Sequence, residues 1–142
     1  MGENRTGKLV YRGHGHTFYE RCFVNGYYHN DNSPAVIRYH LNGNKKHVEY
    51  CVNGKLHNDN GPAVIDYYEN GQVEIIADVL NGVLHGEYYA YYKTGKLHRY
   101  YLFENGEVVD GKYVELDENG TGYIVYNEFF GDHPESWVKD GG

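Results

Sequence analysis

Cysteine, proline and long hydrophobic runs are scarce in this chain of 142 residues. Its two cysteines, Cys22 and Cys51, are too few for a disulfide framework, and they fall one place out of phase in the repeat described below. We therefore expect two free thiols that pack as small hydrophobic groups. No apolar run approaches the roughly 20 residues that cross a bilayer, and residues 1–12 lack the apolar segment of a signal peptide. These absences predict a cytoplasmic protein with no membrane partner.

Tyrosine and glycine are abundant where other apolar residues are few. The chain has 17 Tyr and 19 Gly but only five Phe, one Met and one Trp. A buried Tyr needs a partner for its hydroxyl, so an interior built from Tyr suggests a thin layer whose side chains end at solvent. Tyr, Val and Ile form short runs separated by Gly-containing pairs, which is typical of strands and turns. The composition predicts one all-β domain over residues 1–142.

Negative charge is concentrated in the last third of the sequence. Residues 1–102 contain 11 basic and 10 acidic residues, whereas residues 103–142 contain two basic and ten acidic ones. This imbalance disfavours nucleic acid and anionic membranes, and it favours a protein partner with a basic surface. We select Glu115, Asp117 and Glu118 as candidate binding residues. The alternative is a solvated face that only keeps the protein soluble.

An internal repeat is the strongest signal in the chain. Residues 23–37 align with residues 51–65 at an offset of 28, a third copy begins at Leu80, and a shorter one spans residues 94–98. Both residues of an Asn-Gly pair tolerate positive φ, which a two-residue type I′ hairpin turn requires. We therefore predict a hairpin tip at each of seven Asn-Gly pairs, which begin at Asn25, Asn42, Asn53, Asn70, Asn81, Asn105 and Asn119.

Between the turns the apolar residues alternate with a period of two. Val73, Ile75, Ala77 and Val79 are expected on one face, and residues 74, 76, 78 and 80 on the other. The longer Asn-Asp-Asn-Gly/Ser-Pro segments are expected to be loops held by Asn and Asp side chains. We predict strands at residues 18–24, 35–39, 48–52, 63–68, 73–80, 87–92, 98–103, 113–116 and 123–129.

Residues 81–88, which read Asn-Gly-Val-Leu-His-Gly-Glu-Tyr, resemble the MORN repeat, whose core is roughly Asn-Gly-Lys-x-His-Gly followed by an aromatic strand. Residues 53–57 and 94–98 match its first half. Two copies replace the Gly after His with Asn-Asp-Asn-Gly/Ser-Pro, and this variant is similar to repeats of YwqK-family antitoxins, tailed phages and giant DNA viruses. The resemblance covers residues 18–126. It implies a single-layer antiparallel meander, a β-hairpin repeat solenoid of MORN-like repeats used for binding, with no shared catalytic residues.

Histidine recurs four places after each turn residue, at His29, His57, His85 and His98. The repeat spacing stacks these side chains one hairpin apart, which is too far for several of them to reach one metal ion. We predict that each His caps a hairpin loop through a backbone hydrogen bond. Neither a metal nor a cofactor is expected.

The sequence contains no recognisable catalytic motif. It has no phosphate-binding Gly-rich loop, Gly-x-Ser-x-Gly elbow or zinc-protease motif, and neither cysteine has the context of a nucleophile. We therefore predict a non-enzymatic protein with no catalytic residues. A carboxylate pair assembled only in three dimensions is the remaining catalytic alternative.

Five Tyr-Tyr pairs place one ring on each face of a strand. One ring of each pair is expected to pack inward and the other to join an exposed ladder, for which we select Tyr68, Tyr89, Tyr91 and Tyr101 as binding residues. The alternative is that these rings form cross-strand pairs that only stabilise the sheet. Residues 127–142 leave the repeat and are predicted to form a C-terminal cap, in which Trp137 closes the array or anchors a partner.

Two functions are consistent with these patterns. The first is a binding protein that recognises and neutralises another protein, as an antitoxin or as a virus-encoded inhibitor of a host defence factor. The second is a protein that binds or sequesters a small ligand, a sugar or a nucleotide. Open end strands would also permit a dimer.

Overall fold

A computed structural model describes residues 5–119, and within this range the chain forms twelve strands and no helix. The predicted strand 123–129, the predicted cap with Trp137 and the second residue of the turn at Asn119 lie outside the described residues. The strands are β1 Gly7–Gly13, β2 His16–Val24, β3 Tyr27–Tyr28, β4 Val36–Tyr39, β5 Lys45–Glu49, β6 Cys51–Val52, β7 Lys55–Leu56, β8 Val64–Tyr67, β9 Val73–Leu80, β10 Val83–Tyr91, β11 Leu97–Glu104 and β12 Glu107–Glu115.

Ten of these strands form one antiparallel sheet. Its order is β1-β2-β4-β5-β8-β9-β10-β11-β12, with β3 also paired to β2, and β6 pairs with β7 in a separate two-stranded sheet. The sheet is open, because β1 and β12 lie at its two ends and do not pair with each other. The predicted all-β antiparallel meander is confirmed.

Strand β1 is the one long strand that the repeat pattern missed. It precedes the aligned copies and pairs with β2 from Gly7 to Gly13. The connecting turn has positive φ at both His14 and Gly15, with values of 53° and 80°. His14-Gly15 therefore acts as a tight hairpin turn, a conformation that His adopts less often than Asn.

The turns of the meander are of two kinds, which lie at opposite ends of the sheet. Four Asn-Gly pairs have positive φ at both residues, as a type I′ turn requires, and we call these the tight turns; they begin at Asn25, Asn53, Asn81 and Asn105. At Asn42 and Asn70 only the following Gly has positive φ. The prediction of a type I′ turn is therefore wrong at these two pairs, which belong to longer turns that we call the wide turns.

In the wide turns the Asn side chain replaces part of the backbone pairing. Asn42 Oδ1 accepts a hydrogen bond from Asn44 N at 2.9 Å, and its Nδ2 donates to Glu69 O of the next wide turn at 2.9 Å. Asn70 repeats both contacts, with Gln72 N and Lys93 O as partners. Each wide turn is thereby tied to the one that follows it.

The short copy at residues 94–98 belongs to the wide turns. Gly95 has positive φ, and Tyr92 N donates to Lys96 O as His40 N donates to Asn44 O. Its histidine therefore does not repeat the position of the other three, and the His98 ring stacks on Tyr92 with 4.2 Å between centroids. The prediction that His98 caps a hairpin loop is wrong, because the copy lies at the opposite end of the sheet.

The other three histidines do hold tight turns, but each holds the turn of the next hairpin. Asn53 N donates to His29 Nδ1 at 3.0 Å, and Gly54 N donates to Tyr28 O at 2.8 Å. The same two bonds recur at the next two tight turns, where Asn81 N donates to His57 Nδ1 and Asn105 N donates to His85 Nδ1. In the first tight turn Asn25 N donates to Thr6 Oγ1 instead, and Gly26 N donates to Arg5 O. The predicted backbone capping by these histidines is confirmed, and we call the linked turns the tip stack.

The Asn-Asp-Asn loops also behave as predicted. Asn30 Nδ2 donates to Pro34 O at 3.0 Å, and Asn58 Nδ2 donates to Pro62 O at 2.9 Å. Each loop interrupts the strand that follows a tight turn. In the first such hairpin the loop separates β3 from β4, and both of these strands pair with β2. In the third hairpin a register shift between Leu84 and Tyr88 replaces the loop.

A β-bulge recurs in each hairpin that a wide turn closes, and also in the first hairpin. The strand after the turn has one extra residue, which is Phe18, Lys46, Glu74 or His98. Because Tyr67 pairs with Val73 while Asp66 pairs with Ile75, the bulge moves Val73 to the face of Ile76. The prediction that Val73 shares a face with Ile75 is therefore wrong.

The best-buried side chains are small. Among the described residues no large side chain is fully buried, and the buried hydrophobic residues are Ala35, Val36, Val48, Cys51, Ala63, Ala77, Val79 and Ala90. Tyr28 and Leu56 pack on Ala35, Val36 and Cys51 beneath the tip stack. Both cysteines are free, as predicted. Several Tyr hydroxyls find partners within the protein, as those of Tyr39, Tyr68 and Tyr92 do with Glu20 Oε2, Tyr91 O and Leu116 O.

We predict that His57→Ala lowers the free energy of unfolding by about 1 kcal/mol, because Asn81 N loses its acceptor. His57 Nε2 also loses its contact with Asp59 Oδ1, at 3.0 Å. The midpoint of urea-induced unfolding measures the change. His16→Ala is the matched control, since His16 is exposed and its side chain forms no hydrogen bond or ion pair with residues 5–119. Equal midpoints for the two variants would contradict a structural role for the tip stack.

Candidate functional site

The strand register assigns the side chains of the sheet to two faces. The first, which we call the Tyr89 face, carries a largely apolar row at Ile37, Val48, Ile65, Ile76, Tyr89, Tyr100 and Val114. The second, the Tyr88 face, carries Arg38, His47, Asp66, Ile75, Ala90, Arg99 and Glu115 in one row and Tyr88, Tyr101 and Tyr113 in the next.

The four tyrosines selected from the sequence do not form one ladder. Tyr89 and Tyr91 share the Tyr89 face, with ring centroids 6.1 Å apart and planes 15° from parallel. Tyr101 lies on the other face, 5.6 Å from Tyr88 and 5.9 Å from Tyr113. Tyr68 lines a groove with His47 and Asp66, and its hydroxyl donates to Tyr91 O at 2.7 Å. The neighbour that the sequence did not select is Tyr100, 5.1 Å from Tyr89.

A small recess lies beside these rings on the Tyr89 face. It has a volume of about 230 Å³ and is lined by Pro62, Ile76, Asp78, Glu87, Tyr89 and Tyr91. A second recess of about 190 Å³ shares Ile76 and Tyr91 with it. Pro62 comes from the second Asn-Asp-Asn loop, and the other residues come from β9 and β10, so neighbouring hairpins build the site together. We call the first of these the acidic recess.

Two carboxylates of the acidic recess are held in place by hydrogen bonds. The Tyr89 hydroxyl donates to Glu87 Oε1 at 3.0 Å. Burial, and then the charge of Glu87, raises the pKa of Tyr100, so this phenol also stays protonated beside the carboxylate. Asp78 Oδ2 accepts from Glu87 N at 2.9 Å. Gly86 makes room for this, since a Cβ there would lie 2.5 Å from Asp78 Oδ2, and its φ of 118° already excludes most other residues.

The electrostatics of the acidic recess favour a cation. Burial, together with the hydrogen bond to Glu87, raises the pKa of Tyr89 to about 12, so the phenol stays protonated and keeps donating at neutral pH. Neither Asp78 nor Glu87 forms an ion pair within residues 5–119. Aromatic faces beside carboxylates that lack a cationic partner suit a guanidinium or ammonium group.

A charged network occupies the Tyr88 face. His47 lies between two carboxylates, with Nε2 2.8 Å from Glu49 Oε2 and Nδ1 bonded to Asp66. Hydrogen bonds to Asp66 and then to Glu49 raise the pKa of His47 to about 9, against the effect of burial. The hydrogen bond from His47 lowers the pKa of Glu49 in return. His47 is therefore an imidazolium at neutral pH.

The buried cysteine is not prepared as a nucleophile. Burial and the charge of Glu49 raise the pKa of Cys51 to about 12, so its thiol stays protonated at neutral pH. Between residues 5 and 119 no three His, Cys, Asp or Glu side chains are grouped to hold a metal ion. No helix in the same range could cross a membrane.

The acidic residues selected from the sequence lie away from the acidic recess. Glu115 pairs with Arg99 at 2.9 Å on the Tyr88 face, Asp117 Oδ1 accepts from Asn119 N at 3.0 Å, and Glu118 is exposed. Asp78 and Glu87 were not among the residues predicted from the sequence. Glu87 could have been predicted from its spacing, because residues 87, 89 and 91 lie on the same face of one strand. Asp78 could not, because the pairing of β9 with β10 brings it to the recess.

No protein-family model matches the chain. No curated protein is significantly similar to it in sequence.

We predict that the stability of the protein falls as the pH rises from 6.5 to 9. The folded pKa of His47, about 9, lies above the ordinary value of 6.5, so its stabilising effect is complete below pH 6.5 and lost above pH 9. Urea-induced unfolding of the wild type and of His47→Gln, compared between pH 6 and 9.5, isolates this contribution. A difference between the two proteins that does not change with pH would contradict the charged state assigned to His47.

Proposed function

We propose that this protein is a non-enzymatic binding protein whose Tyr89 face receives a basic side chain of a protein partner. The observation that carries the proposal is the acidic recess, where Asp78 and Glu87 flank the near-parallel rings of Tyr89 and Tyr91. Hydrogen bonds within the sheet hold Asp78, Glu87 and Tyr89, and the Tyr91 ring lies against that of Tyr89, so little conformational freedom is lost on binding.

The size and chemistry of the acidic recess favour arginine. A volume of about 230 Å³ is below the range typical of small-molecule sites but admits a single side chain. A guanidinium can lie against a Tyr ring while it donates to a carboxylate, and it carries its charge at every physiological pH. Lysine would satisfy the charge without the planar contact.

The charge of the whole chain supports a basic partner. The formal net charge is −7, and residues 103–142 contain ten of the 20 acidic residues. Such a field attracts a basic protein over about one Debye length, roughly 8 Å at physiological salt, and speeds the encounter. Glu115, Asp117 and Glu118 contribute to this attraction in the proposal, while the acidic recess supplies the specific contact.

The proposal includes a MORN-like β-hairpin repeat solenoid. Its support is the recurrence, 28 residues apart, of the Asn-to-His bonds in the tip stack and of the bulges at Phe18, Lys46 and Glu74. A rigid array of this kind offers a large surface at low entropic cost. Binding and neutralising another protein, as an antitoxin or an inhibitor of a host defence factor, is the corresponding biological role.

Titration calorimetry with short peptides tests the contact. We expect a peptide that carries two arginines to bind, and the same peptide with citrulline, which is neutral, to bind at least fivefold more weakly. Glu87→Gln and Tyr89→Leu are expected to weaken the arginine peptide about fivefold. Tyr101→Leu, an equivalent change on the opposite face, is expected to leave the affinity unchanged.

Two outcomes contradict the proposal. Equal affinity for the arginine and citrulline peptides would show that charge is not recognised. An equal loss in Tyr101→Leu and Tyr89→Leu would show that the acidic recess is not the site, provided that circular dichroism shows both variants folded.

A further inference from the structure

A groove several times larger than the acidic recess lies elsewhere, on the Tyr88 face near the wide turns. It has a volume of about 840 Å³, within the range of sites that hold a small molecule. Arg38, Lys46 and Lys93 line it, together with Tyr68, Glu69 and Glu74. We call it the wide-turn groove. It shares no lining residue with the acidic recess.

Two hairpins, separated by a third, supply the cations. Arg38 lies on β4, and Lys46 is the extra residue of the bulge opposite it. Lys93 lies in a later wide turn, where its carbonyl accepts a hydrogen bond from Asn70 Nδ2 at 3.1 Å. None of the three cations forms an ion pair within residues 5–119. After the hydrogen bond from His47, the charge of Arg38 also helps to lower the pKa of Glu49, so Arg38 is shared with that carboxylate. The charges of Lys46 and Lys93 are available to a ligand.

The carboxylates of the groove decide what kind of anion it suits. Asp66 is engaged by His47, whereas Glu69 and Glu74 have no ion-pair partner in the described range. A simple polyanion would be repelled by these two groups. A ligand with a phosphate at one end and N–H or O–H donors at the other would satisfy both signs of charge.

An aromatic ring completes the lining. The Tyr68 hydroxyl donates to Tyr91 O at 2.7 Å, which fixes the ring between the hairpin of Arg38 and the turn of Lys93. A nucleobase or the apolar face of a sugar can lie against such a ring.

We propose that the wide-turn groove binds a phosphate ester with hydrogen-bond donors at its other end, a nucleotide or a sugar phosphate. The phosphate contacts Arg38, Lys46 and Lys93, and the donors of the base or sugar contact Glu69 and Glu74. This site is independent of the contact proposed for the Tyr89 face, because it lies on the opposite face of the sheet.

Thermal unfolding in the presence of defined ligands tests the proposal. The ligands are the four ribonucleoside monophosphates, glucose 6-phosphate, the matching nucleosides and glucose, and inorganic phosphate. We expect at least one phosphate ester to raise the melting temperature by several degrees, and its unphosphorylated form and inorganic phosphate to have no effect. A response to nucleotides alone or to glucose 6-phosphate alone identifies which of the two the groove takes.

Variants locate the site. Arg38→Gln and Lys93→Gln are expected to remove at least half of the shift, and Lys55→Gln, a cation of the tip stack, none of it. Tyr89→Leu is expected to keep the full shift, which separates this site from the arginine contact. The proposal is overturned if no phosphate ester shifts the melting temperature, if inorganic phosphate does so equally, or if Lys55→Gln loses as much as Arg38→Gln.

Discussion

The hydrogen bond from a turn Asn N–H to the histidine of the preceding hairpin is the interaction on which the rest of the structure depends. An open sheet whose best-buried side chains are Ala, Val and Cys gains limited hydrophobic stabilisation. In a type I′ turn the outward N–H groups usually face water. Here the N–H groups of Asn53, Asn81 and Asn105 donate instead to a histidine of the neighbouring hairpin. The bond sets the register of one hairpin against the next. In the last described hairpin Val109 stands where the earlier ones have His, and Val has no acceptor.

The fixed register of the sheet brings together residues that are far apart in the sequence. His47 and Asp66 are 19 residues apart, and they meet because β5 and β8 pair with His47 opposite Asp66. Asp78 and Glu87 meet across β9 and β10 where the register shifts between Leu84 and Tyr88, so that Glu87 N donates to Asp78 Oδ2. A slip of one residue in either pairing would send one partner to the other face of the sheet. The tip stack at one end and the Asn side chains of the wide turns at the other oppose such a slip.

The sequence was most informative where the chemistry is local. Positive φ at four of the Asn-Gly pairs follows from adjacent residues, as do the loops that end in Pro34 and Pro62. The shared face of Tyr89 and Tyr91 follows from a period of two. The bulges could not be predicted, because Phe18, Lys46, Glu74 and His98 share no side-chain property. Each bulge shifts the alternation by one residue, so Val73 was assigned to the wrong face. Strand β1 was missed because it precedes the first copy of the repeat.

The open sheet also explains why the two proposed sites differ in charge. Within residues 5–119 no helix covers the ten-stranded sheet, so each face can carry its own surface. Alternation separates the groups: the unpaired carboxylates Asp78 and Glu87 lie on the Tyr89 face, while Arg38 and the His47 imidazolium lie on the Tyr88 face. Charges on opposite faces interact weakly across the sheet because water screens both. The same strands can therefore present an acidic recess to a basic side chain and a cationic groove to a phosphate.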